Sequence, residues 1–423
     1  MRHLDPLAVL AVLYPLSAGA DVVRLEDLEA RAVRDRPTLE ASHARVRRAR
    51  AAIDRAESAY YPTLSIGADA SLQPGGEIVD VGGVLVQGSR ALGESGALDP
   101  NPRYGVVMGL RGTLYDFGRT AAATQAARAQ RGAARAEERA RRVEIVRAVR
   151  SAYMAWTAAH ELGGVAGQTV TDAGARRTRV EALIQEGARP EADLAPVQAD
   201  EALARLEAAR ARGELARARL ALEQAVGGPL APGATPDASV LSRSASEEAR
   251  SERPDPSLVA LERQREAARA TARIHDRRTR PILTAAAEGG VHGVVDDFFP
   301  AYRATLSISV PLWDGGAGAA SEAAASAEAA ELAARAGELR EARRGEELAA
   351  RADQASAEER LAIARELVDV SQTRLRQAEE RYDLGSGNIE SIATARSALR
   401  RARSEVVLAR VARAEAALRL QSP

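Results

Sequence analysis

The sequence predicts a mainly helical protein with a small β part, built from two copies of one unit in the order helix, strand, strand, long helix, helix. Three observations lead to this fold class. Short motifs recur at constant offsets, alternating apolar and polar residues mark four strands, and long runs rich in Ala, Arg and Glu follow two of these strands. Aromatic residues make up only 3% of the chain, which is typical of long helices that pack through small side chains.

Two constant offsets define the duplication. An offset of 219 residues relates the start of each copy, Arg36–Leu39 to Asp255–Leu258 and Pro62 to Pro281. An offset of 198 residues relates the later part, Leu114–Gly118 (LYDFG) to Leu312–Gly316 (LWDGG) and Gly187 to Gly385. Because the offsets differ by 21 residues, we expect the copies to differ mainly in a loop between the first two strands.

The repeats place boundaries along the whole chain. We predict a signal peptide at 1–20, a first repeat at 21–226, a connector rich in Pro, Gly and Ser at 227–255, and a second repeat at 256–423. The connector is expected to lie outside the main helical body. Each copy should begin with a helical stretch, which is about Leu25–Ala59 in the first copy. We expect strands at 63–73, 103–115, 282–292 and 302–312, and long helical hairpins at 118–226 and 315–421.

The N-terminus resembles a cleavable secretory signal. Arg2 and His3 precede the apolar run Leu7–Leu16, and small residues ending at Ala20 follow it. A buried first helix or a membrane anchor is the alternative, but the run is too short to span a bilayer. We therefore expect export and cleavage after Ala20.

The stretch Tyr302–Leu312 shows the clearest strand pattern, with apolar residues on one face and polar residues on the other. Four strands of about ten residues can cross a membrane at a tilt, but they cannot close a barrel alone. An open edge in lipid would leave main-chain groups unsatisfied. We therefore expect other subunits to complete the sheet.

The two faces of these strands have different predicted environments. The apolar faces would contact membrane lipid, and the polar faces would line a wet interior. A soluble sandwich is the alternative, but the chain offers no strands for a second sheet. The charged residues predicted to line the interior are Asp69, Arg111, Glu288 and Arg303.

Composition excludes several classes of function. Basic and acidic residues balance at 59 each, so nothing suggests a nucleic-acid partner. All the basic residues are Arg, which excludes a phosphate-binding loop lysine and a pyridoxal Schiff base. The chain has no Cys, and its five His residues lack metal-ligand spacing. We expect no enzyme activity, no cofactor and no metal site.

The junction motifs LYDFG and LWDGG, together with the stretch YDLGSGNIESIATARSAL that begins at Tyr382, resemble the TolC-like family of outer-membrane efflux and secretion channels. The resemblance covers about Val23 to Leu420. It implies a homotrimer whose twelve strands form one β-barrel in the outer membrane, continued by a periplasmic α-helical barrel. It also implies docking, through a periplasmic adaptor (membrane fusion) protein, onto an inner-membrane pump or transporter.

The resemblance implies a passive exit duct for a tripartite efflux pump or a type I secretion system. A soluble periplasmic coiled-coil adaptor or spacer is the alternative, which would explain the helical hairpins but not the four strands. The extra loop Pro74–Pro102 is expected to face outside the cell. The residues that carry the junction motifs are Asp116, Gly118, Asp314 and Gly316. Arg119 follows the first junction as in many relatives, whereas Ala317 follows the second.

The turns of the two long hairpins are the candidate gate. Gly187, Gly385 and Asn388 are expected to make the turns, with Asn388 as the N-cap of the following helix. In a trimer, the nearby acids would repeat three times around a narrow ring and favour cations. These acids are Glu191, Asp193 and Glu390, with Arg189, Arg381 and Arg396 as candidate partners. Alternatively, Glu191 and Asp193 only complement the dipole of the return helix.

Overall fold

The structure of the chain is a computed structural model that describes residues 22–74, 78–81, 84–87, 100–242, 254–294 and 297–420. The predicted signal peptide lies outside the described residues, as do much of the extra loop and residues 243–253 of the connector. The elements in chain order are β1 (Val22–Val23), α1 (Leu25–Asp35), α2 (Pro37–Glu57), β2 (Thr63–Pro74), β3 (Ile78–Val81), β4 (Val84–Gln87), β5 (Pro100–Tyr115), α3 (Arg119–Gln185), α4 (Leu194–Val226), β6 (Thr235–Pro236), α5 (Pro256–Asp276), β7 (Ile282–Val294), β8 (Asp297–Ser309), α6 (Ala317–Asp383) and α7 (Ile389–Leu420).

The described residues divide into two compact units. The strand unit comprises Ala41–Arg139 and Asp255–Arg340. The turn unit comprises the described parts of Met1–Glu40, Ala140–Pro254 and Glu341–Pro423. The helices α3 and α6 contribute residues to both units.

An antiparallel four-stranded sheet in the order β2-β5-β7-β8 forms the strand unit together with helical segments. Its two hairpins have the same register. Thr63 pairs with Arg111 in the first, and Ile282 pairs with Ser309 in the second. These pairs are related by the offsets of 219 and 198 residues found in the sequence. A third pairing, β5 with β7, joins the two copies and contains an irregularity between Thr113 and Tyr115.

The last strand departs from its predicted bounds. It covers Asp297–Ser309 instead of 302–312. Its end lies opposite Ile282, the first residue of β7, so no further strand of the same sheet is available for pairing. Pro311 also lacks the N–H that a ladder requires. The other strands extend beyond their predicted bounds by one to three residues, at Pro74, Pro100 and Val294.

The first helical stretch is two helices and not one. Helix α1 ends at Asp35 and α2 begins at Pro37. Arg36 between them is extended, with φ −82° and ψ 122°. A proline ring disfavours the helical conformation of the residue before it, and proline itself is well placed in a first helical turn. The predicted helical stretch, about Leu25–Ala59, is therefore divided into two helices at Arg36.

The core of the turn unit forms around Tyr153 and Trp156 of α3 and Leu222 of α4, all of which are buried. The connector contributes to this core, since Leu230 and Leu241 are buried in the same cluster. Two-residue strands β1 and β6 pair in parallel. The hydroxyl of Tyr153 donates to the carbonyl of Val23 at 2.7 Å and accepts from the amide of Asp237 at 2.8 Å. The described part of the connector is thus packed into the helical unit, contrary to the prediction that it lies outside.

Candidate functional site

The two hairpin turns lie side by side in the turn unit. The first turn has Gly187 at φ +72° and the second has Gly385 at φ +80°, both in the left-handed region that favours glycine. Gly387 is required for a different reason, because an added Cβ would lie 2.8 Å from the amide nitrogen of Tyr382. The side chain of Asn388 accepts from the amide of Ser391 at 2.9 Å and so caps α7.

Tyr382 connects the two turns. Its side chain is 3% exposed and packs in an apolar cluster with Val180 and Ile392. Its hydroxyl donates to Asp193 Oδ2 at 2.8 Å, and the guanidinium carbon of Arg189 lies 3.7 Å from its ring centroid. This is a cation–π contact between residues of different hairpins.

The environment keeps Tyr382 protonated. Burial, followed by the hydrogen bond to the Asp193 carboxylate, raises the pKa of Tyr382 to about 12 from its ordinary 10.0. Because the folded pKa is the higher one, this contribution to stability is complete below pH 10 and is lost as the pH rises towards 12. The hydrogen bond between the turns is therefore present throughout the physiological range.

A cluster of four charged side chains joins helices α3, α4, α6 and α7, each of which contributes one residue. The cluster lies further from the hairpin turns in sequence than Tyr382 and Asp193. Arg396 of α7 donates to Asp200 of α4 at 2.9 Å, and Arg176 of α3 donates to Glu379 of α6 at 2.9 Å. Arg176 also lies 4.0 Å from Asp200. The side chains of Arg176 and Arg396 are only 12% and 10% exposed. Burial, and then the nearby charge of Arg396, lowers the pKa of Arg176 to about 10, so it is charged at neutral pH.

The predicted gate acids occupy different environments. Asp193 is half-buried and holds Tyr382, and its side chain makes no capping hydrogen bond to α4. Glu191 and Glu390 are exposed, and neither forms an ion pair within the described part of the chain. Arg396, which was expected to neutralise these acids, instead pairs with Asp200. Its position on the second turn of α7 places it against α4 and away from the hairpin turns.

The four charged residues predicted for the strands share one face of the sheet. Glu288 and Arg303 are directly opposite each other on β7 and β8. Asp69 faces Gly105, and Arg111 faces Thr63. Because side chains alternate along a strand, the paired registers place Asp69, Arg111, Glu288 and Arg303 on the same side.

The opposite face of the sheet is apolar and open. Ile66 is 72% exposed and Leu306 is 68% exposed, although each is a large aliphatic residue within a paired strand. The remaining exposed apolar residues of this face include Leu64, Val106, Met108, Leu110, Tyr302 and Ile308. No other sheet or helix of the described residues buries this face. A contiguous apolar surface of this size in a folded protein marks a contact with lipid or with another protein.

The two strand–helix junctions share one capping geometry. Asp116 accepts from the amides of Gly118 at 3.0 Å and Thr120 at 2.6 Å. Asp314 accepts from the amides of Gly316 at 3.1 Å and Gly318 at 2.8 Å. Burial alone would raise the pKa of Asp116, but hydrogen bonds from Thr120, Gly118 and Arg119 outweigh it and hold the pKa below its ordinary value. Each carboxylate thus fixes the start of a long helix.

The junctions differ in their supports. Arg277 donates to the carbonyl oxygen of Gly118 at 2.6 Å, and its Nη1 atom would lie 2.7 Å from a Cβ added to Gly118. At the second junction, nothing lies within 4 Å of a Cβ added to Gly316. Phe117 has φ 53°, a strained conformation for a residue with a side chain, and glycine takes the equivalent place at Gly315.

The described residues were also searched for a metal site and for a membrane-spanning helix. No group of three or more His, Cys, Asp or Glu side chains among them is arranged to hold a metal ion. None of the helices in the described ranges is long and apolar enough to cross a membrane.

Comparison with known proteins decides the family. The family model described as outer membrane efflux protein matches residues 29–228 and 246–422, which is most of the chain. The chain belongs to the outer membrane efflux protein family. Outer membrane efflux proteins of this TolC-like type are channels for transport, and the family is not one of enzymes. No match was found among curated protein sequences.

Several solved structures have the fold of this outer membrane efflux protein. CusC, described in terms of folding and transmembrane channel formation, is 18% identical with a TM-score of 0.81 over 97% of this chain and 94% of its own. The outer membrane protein VceC from Vibrio cholerae is 19% identical with a TM-score of 0.76, over 94% and 96% of the two chains. The open state of the MtrE outer membrane channel from Neisseria gonorrhoeae is 18% identical with a TM-score of 0.75, over 94% and 88%.

Two important groups of this outer membrane efflux protein were missed in the sequence. Tyr382 was named only as the first residue of the stretch that resembles the family, although an aromatic residue with a hydroxyl requires a polar partner when it is buried. Asp200 and Arg176 were indistinguishable from the many charges on helix surfaces. Charged residues recur along α3, α4, α6 and α7, and the sequence does not show which of them form buried pairs.

Proposed function

We propose that the chain is one subunit of a homotrimeric outer-membrane channel. Three four-stranded sheets form a 12-stranded barrel with the apolar faces towards lipid, and the helices form a duct in the periplasm. The channel is the passive exit for a tripartite efflux pump or a type I secretion system. An adaptor protein at the helical turns connects it with an inner-membrane pump or transporter.

The open, two-faced sheet is the observation that carries this proposal. Charged residues line one face, exposed aliphatic residues cover the other, and the strands β2 and β8 each have a single neighbour in the sheet. A barrel shared among subunits satisfies the main-chain hydrogen bonds of both edge strands. It also places the apolar face against lipid and the charged face in a wet interior. A soluble adaptor or spacer would leave the apolar face in water.

The test combines fractionation with electrical measurement. The chain with its predicted signal peptide is expressed in a two-membrane bacterium, and the exported protein is fractionated, solubilised in detergent and inserted in planar bilayers. We expect the protein in the outer-membrane fraction, the mass of a trimer in detergent and discrete single-channel currents. A soluble monomer without currents contradicts the channel and favours the periplasmic adaptor.

The orientation has a separate test. The extra loop within Pro74–Pro102 is proposed to face outside, and the turns at Gly187 and Gly385 to face the periplasm. A protease site introduced near Gly88 is expected to be cut in intact cells, with no cutting at a site near Gly385. The reverse pattern contradicts this orientation and leaves the channel activity itself unaffected.

The turns are proposed to be the gate. Asp193, Tyr382 and Arg189 hold the two hairpins together, and this supports a closed resting state. The exposed Glu191 and Glu390 are proposed to line a cation-attracting ring. Opening then requires the loss of the contacts between the turns, so the two sets of residues have separable effects on the current.

Single-channel recordings distinguish the two roles. Tyr382→Phe removes the hydroxyl and keeps the ring below Arg189, and Asp193→Ala removes the acceptor. We expect both to increase the open probability to a similar extent, because they break the same hydrogen bond. Glu390→Ala is expected to reduce cation preference and block by multivalent cations without this increase. Unchanged currents in all three variants contradict the gate assignment.

A further inference from the structure

One row of the four-stranded sheet brings a carboxylate and an imidazole together. Asp69 of β2 and His292 of β7 are both directly opposite Gly105 of β5, the strand between them. Residues directly opposite each other point to the same face of a sheet, so all three residues belong to the charged face. The two side chains therefore lie on either side of a residue that has no side chain of its own.

Gly105 leaves a space that both side chains approach. A Cβ added to Gly105 would lie 2.6 Å from Nδ1 of His292 and 2.7 Å from Oδ1 of Asp69. The two atoms are thus directed to one point above Gly105, and they are no farther apart than the sum of these distances. Gly105 is buried although Asp69 and His292 are both exposed, so the two side chains lie over it.

The second copy of the repeat has a different residue at the equivalent place. The offset of 219 residues relates Asp69 to Glu288. The offset of 198 residues relates Gly105 to Arg303, which is directly opposite Glu288. In the second copy, the acid therefore has a guanidinium side chain opposite it. In the first copy, glycine takes the place of that arginine, and the acid has no cation at this cross-strand position.

The imidazole and the carboxylate are available to a ligand. Within the part of the chain that the structure describes, no hydrogen bond or ion pair involves the side chain of Asp69 or of His292. On the far side of His292, the residue directly opposite is Phe299 of β8, which carries no charge and no polar side-chain atom. Both side chains are exposed and free to make small rotations.

We propose that Asp69 and His292 form a binding site for a divalent transition-metal ion of the Zn²⁺ type. The ligands are the imidazole nitrogen and a carboxylate oxygen, and the ion occupies the space above Gly105. Zn²⁺ binds histidine nitrogen at about 2.0–2.1 Å and carboxylate oxygen at about 2.0–2.2 Å. Because no group of three or more His, Cys, Asp or Glu among the described residues is arranged around a metal ion, water completes the coordination.

The imidazole determines which ions this site selects. Imidazole suits Zn²⁺ and Ni²⁺, whereas Mg²⁺ and Ca²⁺ prefer oxygen ligands. The site is therefore distinct from a general attraction of cations to an acidic surface. The sequence predicted no metal site because its histidines lack metal-ligand spacing. The pair is formed only when the sheet places β2 and β7 on either side of β5.

The position of the site in the duct rests on the proposed channel, whereas metal binding depends only on the sheet. In the proposed trimer, the charged face lines the interior, so three symmetry-related ions would lie around the lumen. Bound cations add positive charge to the lumen and should reduce the current carried by other cations.

Calorimetric titration with Zn²⁺ tests the site in the purified full chain, in detergent and without a polyhistidine tag. Two variants, His292→Ala and Asp69→Asn, each remove one ligand. A third, Gly105→Ala, keeps both ligands and places a Cβ in the space between them. The matched control is Glu288→Gln, which removes the same charge as Asp69→Asn from the same face of the sheet.

We expect the wild type to bind one Zn²⁺ per chain that His292→Ala does not bind with the same affinity. Loss of either ligand should weaken binding at least about tenfold, since even groups that only support a metal ligand contribute that much. Gly105→Ala should also weaken binding, whereas Glu288→Gln should bind as the wild type does. Excess Mg²⁺ should not displace the Zn²⁺.

Several results would overturn the site. Wild-type affinity in His292→Ala or in Asp69→Asn shows that the pair does not hold the ion. An equal loss in Asp69→Asn and Glu288→Gln shows that the charge of the face attracts Zn²⁺ without specific ligands. Wild-type affinity in Gly105→Ala places the ion elsewhere than above the glycine. Circular dichroism of each variant in the same detergent verifies that the fold is retained.

Single-channel currents separate the site from the proposed channel. Zn²⁺ should reduce the cation current of the wild type, and the current of His292→Ala should not respond. The expected pattern of Zn²⁺ binding in a protein that gives no currents contradicts the proposed channel and leaves the metal site intact. Currents with the same Zn²⁺ response in the wild type and in His292→Ala overturn the position of the site in the lumen.

Discussion

The strand–helix junctions and the hairpin turns use opposite means to fix a change in chain direction. At each junction, an aspartate accepts from main-chain amides two and four residues later. At the turns, side chains 189 to 203 residues apart hold the structure, as in the contacts Tyr382–Asp193, Arg396–Asp200 and Arg176–Glu379. The aspartate caps of the junctions are therefore local structures, whereas the contacts that join the two turns depend on the two hairpins being together.

This difference fits the proposed roles of the two regions. A local cap persists whether or not the helices move, because all of its atoms belong to one short segment. Contacts between hairpins disappear when the hairpins separate. A gate requires the second kind of contact, and the connection between a barrel strand and its helix requires the first.

The largest expected effect is at the charge cluster near the turns. Asp200→Ala leaves Arg396 without its carboxylate in a nearly buried position. We expect a loss of about 3 kcal/mol in stability, at the lower end for a broken buried pair because Asp200 is 35% exposed. The measurement is the thermal unfolding of the turn-unit helices by circular dichroism in detergent.

A compensating variant sharpens this prediction. Adding Arg396→Met to Asp200→Ala replaces the unpaired charge by an apolar side chain of similar length. Since the cost arises mainly from the uncompensated charge, the double variant should recover most of the lost stability. If the double variant is as unstable as Asp200→Ala alone, desolvation of Arg396 is not the source of the effect.

The two junction glycines provide the next test. Gly118→Ala and Gly316→Ala each place a Cβ at φ above +80°, at about 1–2 kcal/mol. Only Gly118→Ala also displaces Arg277, whose Nη1 atom would lie 2.7 Å from the new Cβ. We expect it to cost about 1 kcal/mol more, the value of one hydrogen bond. Adding Arg277→Ala to both variants should remove this difference in melting temperature.

The contrast between junctions and turns also explains which parts of the structure could be predicted from the sequence. The strands and the repeat follow from period-two alternation and constant offsets, and both hairpins obey those offsets to the residue. The junction motifs that contain Asp116 and Asp314 were recognised in the sequence, although the capping role of these aspartates was not predicted. All of these features depend on residues that are close in sequence or repeated in it.

Features that depend on the environment were not predictable in the same way. The end of β8 at Ser309 depends on where β7 begins, although its residues continue to alternate up to Leu312. The pairing of Arg396 with Asp200 depends on the rotation of two helices about their axes. The burial of Leu241 depends on the connector folding back on α3 and α4. Local periodicity contains none of this information.

The two capping aspartates should have nearly equal effects. Asp116→Ala and Asp314→Ala each remove an acceptor for two amides and should cost about 1–2 kcal/mol. The pKa of Asp116 is lowered in the folded state, so its contribution is complete above the unfolded pKa and is lost as the pH falls through the folded pKa. The difference in melting temperature between wild type and Asp116→Ala should therefore shrink below about pH 4. A difference that is independent of pH down to pH 2 contradicts the charged cap.

The smallest expected effect concerns Phe117, where strain and packing oppose each other. Its left-handed conformation costs about 1 kcal/mol or more. Its ring makes an edge contact with Tyr115 at 4.7 Å between centroids, a contact that stabilises by about 0.5–1.5 kcal/mol. Phe117→Gly removes both terms, so we expect a change in stability within about 0.5 kcal/mol in the wild type, given the added entropy of glycine in the unfolded chain.

In a Tyr115→Ala background the ring contact is already absent, and Phe117→Gly should then stabilise the protein by about 0.5–1 kcal/mol. The check is a double-mutant cycle on melting temperature in detergent. An equal effect of Phe117→Gly in both backgrounds would show that the ring contact does not offset the strain, and that the two junctions differ only in their backbone.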